Sequence, residues 1–212
     1  MAAGGPEAKI IIAADAVNLE EFKFNLSRDE IRKKLSLPAD KKIIAYTGNF
    51  SFHDWKGVDI MLESIKYLPG VACLLIGGDP GEKAEIKKRY PAENIIITGR
   101  VSHSEVPAYL RAADALILPN KKGNQTSAYY TSPMKLFEYM ASQRPIVASD
   151  LPSIREVLNE GNAILVEPDN PEALAAGIRR VLEDSQLSDK LARQAFADVH
   201  NYTWQKRAEK II

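Results

Sequence analysis

From Lys41 onward, the sequence alternates between short apolar runs and segments with helical periodicity. The apolar runs have the length and composition of buried strands, and they lie at residues 43–47, 71–76, 95–98, 115–118, 146–148 and 163–166. Between the first two runs, apolar side chains recur at helical spacing from Val58 to Leu68. This alternation is typical of a parallel sheet covered by helices on both faces. The sequence therefore predicts an α/β fold with a doubly wound, Rossmann-like parallel sheet.

The composition limits the kinds of molecule that the protein is expected to bind. The 212 residues include 28 Lys and Arg against 28 Asp and Glu, so no global charge favours nucleic acid. The single cysteine, Cys73, lies in an apolar run and is predicted to be an inert core thiol in a reducing compartment. The sequence shows neither an apolar stretch of membrane-spanning length nor the apolar region of a signal peptide. These features predict a cytoplasmic protein.

Ligands of doubly wound sheets bind beyond the carboxyl ends of the strands, so the loops after the strands are the candidate sites. After the first strand, Gly48 permits a turn close to a ligand, and Lys56 stands at a helix start, where a cation opposes the helix dipole. A bound diphosphate would offset that charge; the alternative is a solvated lysine. After the third strand, Gly99 admits close approach and Val101 offers an apolar wall. Arg100 has three open interpretations: stacking on a base, contacting phosphate, or a surface ion pair.

The glycine-rich segment after the second strand, Gly-Gly-Asp-Pro-Gly at residues 77–81, is interpreted as turn chemistry. It lacks the Gly-x-Gly-x-x-Gly spacing of a dinucleotide fingerprint. The three histidines, His53, His103 and His200, have no neighbours at metal-ligand spacing, so no metal site is predicted.

The run from Thr131 to Asp150 contains a predicted loop, helix and strand. Ser132 is predicted to cap the helix, Pro133 to occupy its first position, and Arg144-Pro145 to end it. A helix N-terminus attracts phosphate through free N–H groups and the helix dipole. Glu138 would lie roughly 7 Å along the helix, a distance that suits a ribose next to such a phosphate. The alternative is an ordinary loop, helix and strand with Glu138 on a solvated face.

This run resembles the signature of family-4-type GT-B glycosyltransferases. In that family, a Glu, seven residues and a second Glu precede a stretch similar to Ala-Met-Ala-x-Gly-x-Pro-Val-Val-Ala; here Glu138 is followed by Tyr-Met-Ala-Ser-Gln-Arg-Pro-Ile-Val-Ala. Two positions depart from the family pattern: Tyr130 replaces the first Glu, and Asn49 replaces the Arg of the first loop, whereas Lys56 matches that loop's Lys. Lys135 either compensates for the missing charge or faces solvent.

The resemblance covers nearly the whole chain, and the family's organisation is implied with it. Residues 1–40 would be an inter-domain connector with a capped helix, and residues 41–212 the nucleotide-sugar (donor) binding domain. The acceptor-binding N-terminal domain would be absent from this chain, and any membrane contact would come from that half. The loop at residues 119–132 is predicted to be a mobile lid near the donor sugar.

The implied activity is retaining transfer of a hexose-like sugar from a UDP- or GDP-sugar to an acceptor hydroxyl on a glycan, lipid or small molecule, without metal or cofactor. Lys56 and Glu138 would carry the main catalytic roles. The nucleotide-binding positions would be Gly48, Asn49, Gly99, Arg100, Val101, Tyr130, Ser132, Pro133, Met134, Lys135 and Leu136. The chain alone is expected to be inactive. Two alternatives remain open: a non-catalytic nucleotide-binding or regulatory module, and a GT-B-type nucleotide-sugar epimerase.

Overall fold

A computed structural model of the chain describes residues 13–50, 55–123, 125–129 and 132–212. The apolar segment at residues 10–12, which belongs to the predicted connector, lies outside the described residues. The described chain opens with an extended segment and a 3₁₀ turn, Leu19–Phe22, whose N-cap is Asn18.

The centre of the molecule is a sheet of six parallel strands. In chain order they are β1 (Lys42–Gly48), β2 (Val71–Gly77), β3 (Ile95–Ile97), β4 (Ala115–Leu118), β5 (Ile146–Ser149) and β6 (Ile164–Val166). Their order across the sheet is β3-β2-β1-β4-β5-β6, and every pairing is parallel. The predicted fold class and all six strands are confirmed. The connections reverse direction between β1 and β4, and such a reversal opens a crevice at the carboxyl edge.

Helices cover both faces of this sheet. They are α1 (Arg28–Lys34), α2 (Val58–Ser64), α3 (Pro80–Arg89), α4 (Val106–Ala112), α5 (Gln125–Tyr129), α6 (Met134–Ala141), α7 (Pro152–Arg155), α8 (Pro171–Glu183), α9 (Ser185–Asp198) and α10 (Trp204–Ile211). Five of the described helices, α1, α3, α8, α9 and α10, begin with a local N-cap side chain that the sequence supplies. Ser27 and Asp79 each form a capping box with the Glu three residues later, and the Asn170 side chain accepts a hydrogen bond from Ala173 N.

The core lies in two layers, one on each face of the sheet. Along β1, Ile43 and Ala45 point into one layer, and Ile44 and Tyr46 into the other. This alternation explains why the strand is apolar throughout, since both faces are covered. Cys73 is fully buried in the second layer, where desolvation raises the pKa of its thiol. The prediction of a core cysteine is confirmed.

Helix α1 is held by a buried ion-pair network against the amino edge of the sheet, the edge at which the strands begin. Asp114 accepts hydrogen bonds from Arg28 Nη1, Arg32 Nη2 and the backbone N of Ile43, each at 2.7 Å. The side chains of Arg32 and Asp114 are only 4% and 6% exposed. The segment predicted to be the connector therefore shares the core of the sheet, and Phe22, which is buried, lies in the same layer as Ile43.

Candidate functional site

The carboxyl edge of β1 and β2 is bare backbone. Gly48 and Gly77 are paired in register at the last position of the two strands. A Cβ on Gly77, at φ +117°, would lie 2.5 Å from the carbonyl oxygen of Gly48, so no larger residue fits there. Gly99 follows β3 and bridges to Gly77, with open space where its Cβ would be. The edge therefore offers a ligand close access to the main chain of three neighbouring strands.

The loop after β1 is anchored to helix α3. The Phe50 side chain is buried against Gly78, whose added Cβ would meet the ring at 2.4 Å. Phe50 N donates to Glu82 Oε1 at 2.9 Å, while Glu82 also completes the α3 capping box. Asn49, which stands where the resembling family has Arg, is exposed between these anchors. Sequence reasoning did not single out Glu82, because its partner lies 32 residues away.

Lys56 lies beside the end of β4. The next residue, Gly57, is the N-cap of α2 at φ +69°, and a Cβ there would lie 1.8 Å from the Pro119 carbonyl oxygen. This contact forces the loop of β1 against β4 at the crevice. The Lys56 side chain is half-buried, with Nζ 5.8 Å from the centroid of the Trp55 ring. Lys56 is thus at a helix start on the predicted side of the crevice.

The start of α6 differs from the prediction. Its N-cap is Pro133, in extended conformation at ψ 119°, and the helix begins at Met134. Ser132 does not cap the helix; its hydroxyl accepts a hydrogen bond from the backbone N of Asp15 at 3.0 Å. The predicted local cap is wrong because the connector, 117 residues away in sequence, supplies a competing donor. Leu136 is buried in the first core layer, and its N–H donates to the Pro133 carbonyl oxygen at 2.8 Å.

Lys135 reaches from α6 to the carboxyl end of β1. Its Nζ donates to the Tyr46 hydroxyl at 2.8 Å and to the Thr47 carbonyl oxygen at 2.6 Å, and it lies 4.0 Å from the Tyr46 ring centroid. A Cβ on Gly48 would lie only 3.0 Å from this ammonium. Of the two alternatives for Lys135, the structure excludes a solvated surface lysine. The Lys135 ammonium lies beside Gly48, the residue before Asn49, and Asn49 occupies the position of the Arg in the resembling family.

Helix α6 is also tied to β1 through Tyr139. This tyrosine is fully buried, and its hydroxyl accepts a hydrogen bond from the Thr47 backbone N at 2.9 Å. Desolvation raises the pKa of the phenol, so it stays neutral and keeps its hydrogen-bonding role. Tyr139 was not among the predicted site residues, since a buried tyrosine in an apolar helix carries no local signal of its partner.

Glu138 lies one turn after Lys135, with 13% of its side chain exposed. Desolvation raises the pKa of this carboxyl above its usual range, and the nearby His103 and Lys135 partly oppose that rise. His103 Nδ1 lies 3.9 Å from Glu138 Oε1, and His103 Nε2 lies 3.4 Å from Glu21 Oε2. The alternative of a solvated Glu138 is therefore wrong. A carboxyl that is kept from water at a crevice is a candidate for binding a polar ligand.

The remaining predicted residues are dispersed around this edge. Arg100 is exposed, Val101 packs against the core, and Met134 is 47% exposed. Tyr130 lies outside the described residues. The loop predicted to be a mobile lid near the donor sugar contains the helix α5, whose Ala128 is buried.

No group of His, Cys, Asp and Glu side chains in the described ranges is arranged to hold a metal ion. Within those same ranges, every helix falls short of the length and apolarity needed to cross a membrane.

The strand order, the bare carboxyl edge and the α6 start define a Rossmann-like domain of the GT-B type. A family model for the group 1 glycosyl transferases matches residues 27–198, and the chain belongs to that family. The predicted resemblance is confirmed.

Known proteins of similar sequence or structure agree with this assignment. An uncharacterised glycosyltransferase of Methanocaldococcus jannaschii is 25% identical over 98% of this chain and 54% of its own length. Sucrose-phosphate synthase from Thermosynechococcus elongatus superposes with a TM-score of 0.78 at 25% identity, covering 93% of this chain and 49% of that one. Anabaena HepE, solved in complex with UDP-glucose, has a TM-score of 0.80 at 19% identity over 99% and 58% of the two chains. The chain spans about half the length of the curated relatives that it matches.

Proposed function

We propose that this chain is the donor-binding half of a retaining glycosyltransferase. In the complete enzyme it would hold a nucleotide-diphosphate sugar, while another domain holds the acceptor. Residues 1–40 would act as the connector and residues 41–212 as the donor domain.

One observation carries the proposal: α6 brings a cation and a carboxyl to the same crevice. Lys135 Nζ lies at the end of β1, and Glu138 follows three residues later on the helix. A diphosphate at this edge would add an opposite charge within reach of the ammonium. A ribose beyond it would place its hydroxyls near a carboxyl that is mostly withdrawn from water. Cation and carboxyl are thus arranged along one helix in the order in which a nucleotide presents phosphate and sugar.

The chemistry would consist of positioning and charge stabilisation. Lys56 and Lys135 would stabilise the negative charge that grows on the leaving diphosphate, from opposite sides of the β1 loop. The backbone at Ser132 and Met134 would contact phosphate oxygens at the start of α6. Glu138 would accept hydrogen bonds from the ribose, and the exposed backbone at Gly48 and Gly99 would permit close approach. Such a site requires no protein nucleophile and no metal ion.

UDP is the first nucleotide to test, since HepE was solved with UDP-glucose. The acceptor would contact the other half of the enzyme, so the present chain is expected to bind nucleotide without transferring sugar. Sustained transfer by these 212 residues alone would contradict this division of labour.

Calorimetric titration of UDP, GDP and ADP into the chain tests the donor site. One nucleotide is expected to bind, and Lys56→Ala and Glu138→Ala are each expected to weaken that binding. Lys190 on α9 and Glu183 on α8 are exposed and are not among the predicted site residues, so Lys190→Ala and Glu183→Ala serve as matched controls that should leave the affinity unchanged. Failure of all three nucleotides to bind the folded chain at millimolar concentration would contradict the donor site. Binding without transfer by the complete protein would favour a regulatory module.

A further inference from the structure

The Glu138 carboxyl faces a histidine that no motif assigns. His103 lies in the 3₁₀ turn His103–Glu105, which directly precedes α4. Its two ring nitrogens face two different carboxylates, with Nδ1 3.9 Å from Glu138 and Nε2 3.4 Å from Glu21. The His103 imidazole therefore lies between the Glu138 carboxyl at the crevice and the Glu21 carboxylate of the connector.

The turn that carries His103 is built rigidly. Ser102 N and Ser102 Oγ both donate to Glu105 Oε2, at 2.9 and 2.6 Å, in a capping box. Glu105 is thereby committed to its own turn, and hydrogen bonds to Ser102 lower the pKa of its carboxyl. The carboxylates described around the imidazole are those of Glu21 and Glu138, one on each side. The capping box fixes the backbone of the turn, and the His103 side chain, which is 65% exposed, lies between these two carboxylates.

Three ionisable side chains, each from a different structural element, lie close to the Glu138 carboxyl. His103 approaches from the turn before α4, Lys135 from one turn earlier on α6, and Glu21 from the connector. Burial is the main cause of the raised pKa of Glu138; the two cations lower this pKa, and Glu21 raises it. An ionised Glu138 carboxylate can accept hydrogen bonds from ligand hydroxyls through both oxygens, and these charge-assisted bonds are stronger than those to a neutral carboxyl, which keeps only part of that acceptor capacity. The balance of these charges therefore affects how strongly the crevice binds a ligand.

We propose that His103 is a positioning residue for Glu138, holding the carboxylate ionised and aimed into the crevice while Glu21 of the connector holds the imidazole from its other side. The proposal rests on the proposed function, because Glu138 is taken as the ribose acceptor. It adds a residue outside the resembling motif, and it connects the nucleotide site to the segment that leads into the domain.

The sign of the pH effect follows from the charges. As pH falls through the pKa of Glu138, the carboxylate is protonated and nucleotide affinity falls. A cationic His103 lowers that pKa, so it extends binding to lower pH. His103→Ala removes this help, and the loss of affinity should begin at higher pH. His103→Lys keeps a cation at the position and should restore the wild-type profile.

Carbon-detected NMR titration of the Glu138 side chain in the free protein is the first test. His103→Ala is expected to move the Glu138 midpoint to higher pH, and His103→Lys is expected to move it back. The matched control is His200→Ala, since His200 is an exposed histidine whose Nδ1 lies 2.8 Å from the Phe196 carbonyl oxygen of its own segment. A nuclear Overhauser effect between the His103 ring and the Glu138 methylene protons is also expected, and Glu21→Ala should weaken it. An unchanged Glu138 midpoint in His103→Ala would overturn the proposal.

Calorimetric titration of the nucleotide across the same pH range is the second test. Near the Glu138 midpoint, His103→Ala is expected to weaken binding by about two- to fivefold, the range of an exposed ion pair. In a Glu138→Gln background, the same substitution should have no further effect, because the group that His103 positions no longer ionises. If the wild type binds but His103→Ala binds equally at every pH, the proposal fails while the donor site stands. If the wild type binds no nucleotide, the donor site fails, and the NMR midpoint still decides the role of His103.

Discussion

The two edges of the sheet use charge in opposite ways. At the amino edge, the Asp114 carboxylate is closed off by two arginines and a backbone N–H, all at 2.7 Å. At the carboxyl edge, Lys135 is held by the Tyr46 hydroxyl and ring and by a carbonyl oxygen, and the mostly buried Glu138 carboxyl has a raised pKa. At the amino edge, the charged groups pair with one another and stabilise the fold. At the carboxyl edge, the charged groups are partly shielded from water and are available to a ligand.

The largest expected effect is at the amino edge. Asp114→Asn leaves the buried Arg32 without its carboxylate, and such a loss typically costs about 3–5 kcal/mol of unfolding free energy. Urea denaturation measures this loss of unfolding free energy. The control is Asp189→Asn, which breaks an ion pair whose side chains are 80% and 71% exposed and should change stability by less than about 1 kcal/mol. Nucleotide affinity of the folded Asp114→Asn protein should stay at the wild-type value; a weakened affinity would break the distinction between the edges.

A second large effect is expected from Lys56 at the carboxyl edge. In the complete enzyme, Lys56→Ala should lower the transfer rate by about 10²–10³, because one group that stabilises the departing charge is removed. Steady-state kinetics with the full-length protein measures it, with Lys190→Ala as the matched control. Retention of the wild-type rate would remove Lys56 from the catalytic role proposed for it.

Glu138 should show a trade-off between binding and stability. A carboxyl with a raised pKa in the folded protein binds its proton more tightly there than in the unfolded chain. It therefore favours folding below its unfolded pKa of about 4.3, and this contribution is lost as pH rises through the folded pKa. Glu138→Gln should consequently weaken nucleotide binding at neutral pH while leaving the protein as stable as the wild type, or more stable. Denaturation at neutral and acidic pH, beside Glu183→Gln, measures the difference, which should shrink on acidification.

The smallest expected effect concerns the backbone at Gly48. Gly48→Ala brings a Cβ to 3.0 Å from Lys135 Nζ at a φ of +132°. The flexible ammonium can retreat, so the loss of stability should be about 1 kcal/mol from backbone strain, together with weaker binding. Gly70, which precedes β2, has a φ of +80° and open space at its Cβ, so Gly70→Ala is the matched control for backbone strain and should leave binding unchanged. Unchanged binding in Gly48→Ala would argue against a role for Lys135 at this edge.

The sheet was predictable because its determinants are local. Each strand is a continuous apolar run, as strands covered on both faces require, and the structure reproduces the predicted boundaries closely. The helix start at α6 was not predictable, since the Ser132 hydroxyl is engaged by Asp15 from the distant connector. Likewise, nothing in the sequence around His103 indicates that folding brings it within 3.9 Å of Glu138. Contacts between distant segments depend on how the helices pack, and the local sequence around each residue does not indicate that packing.

The hydrogen bond from Thr47 N to the buried Tyr139 hydroxyl has a consequence for binding thermodynamics. It joins the end of β1 to α6, so the glycine edge, Lys135 and Glu138 form one stiff unit before any ligand arrives. A ligand that enters a preorganised site has less conformational entropy to remove, and more of its contact energy is expressed as affinity. Tyr139→Phe keeps the ring and removes the hydroxyl, so it should make nucleotide binding entropically less favourable without altering any group that contacts the ligand.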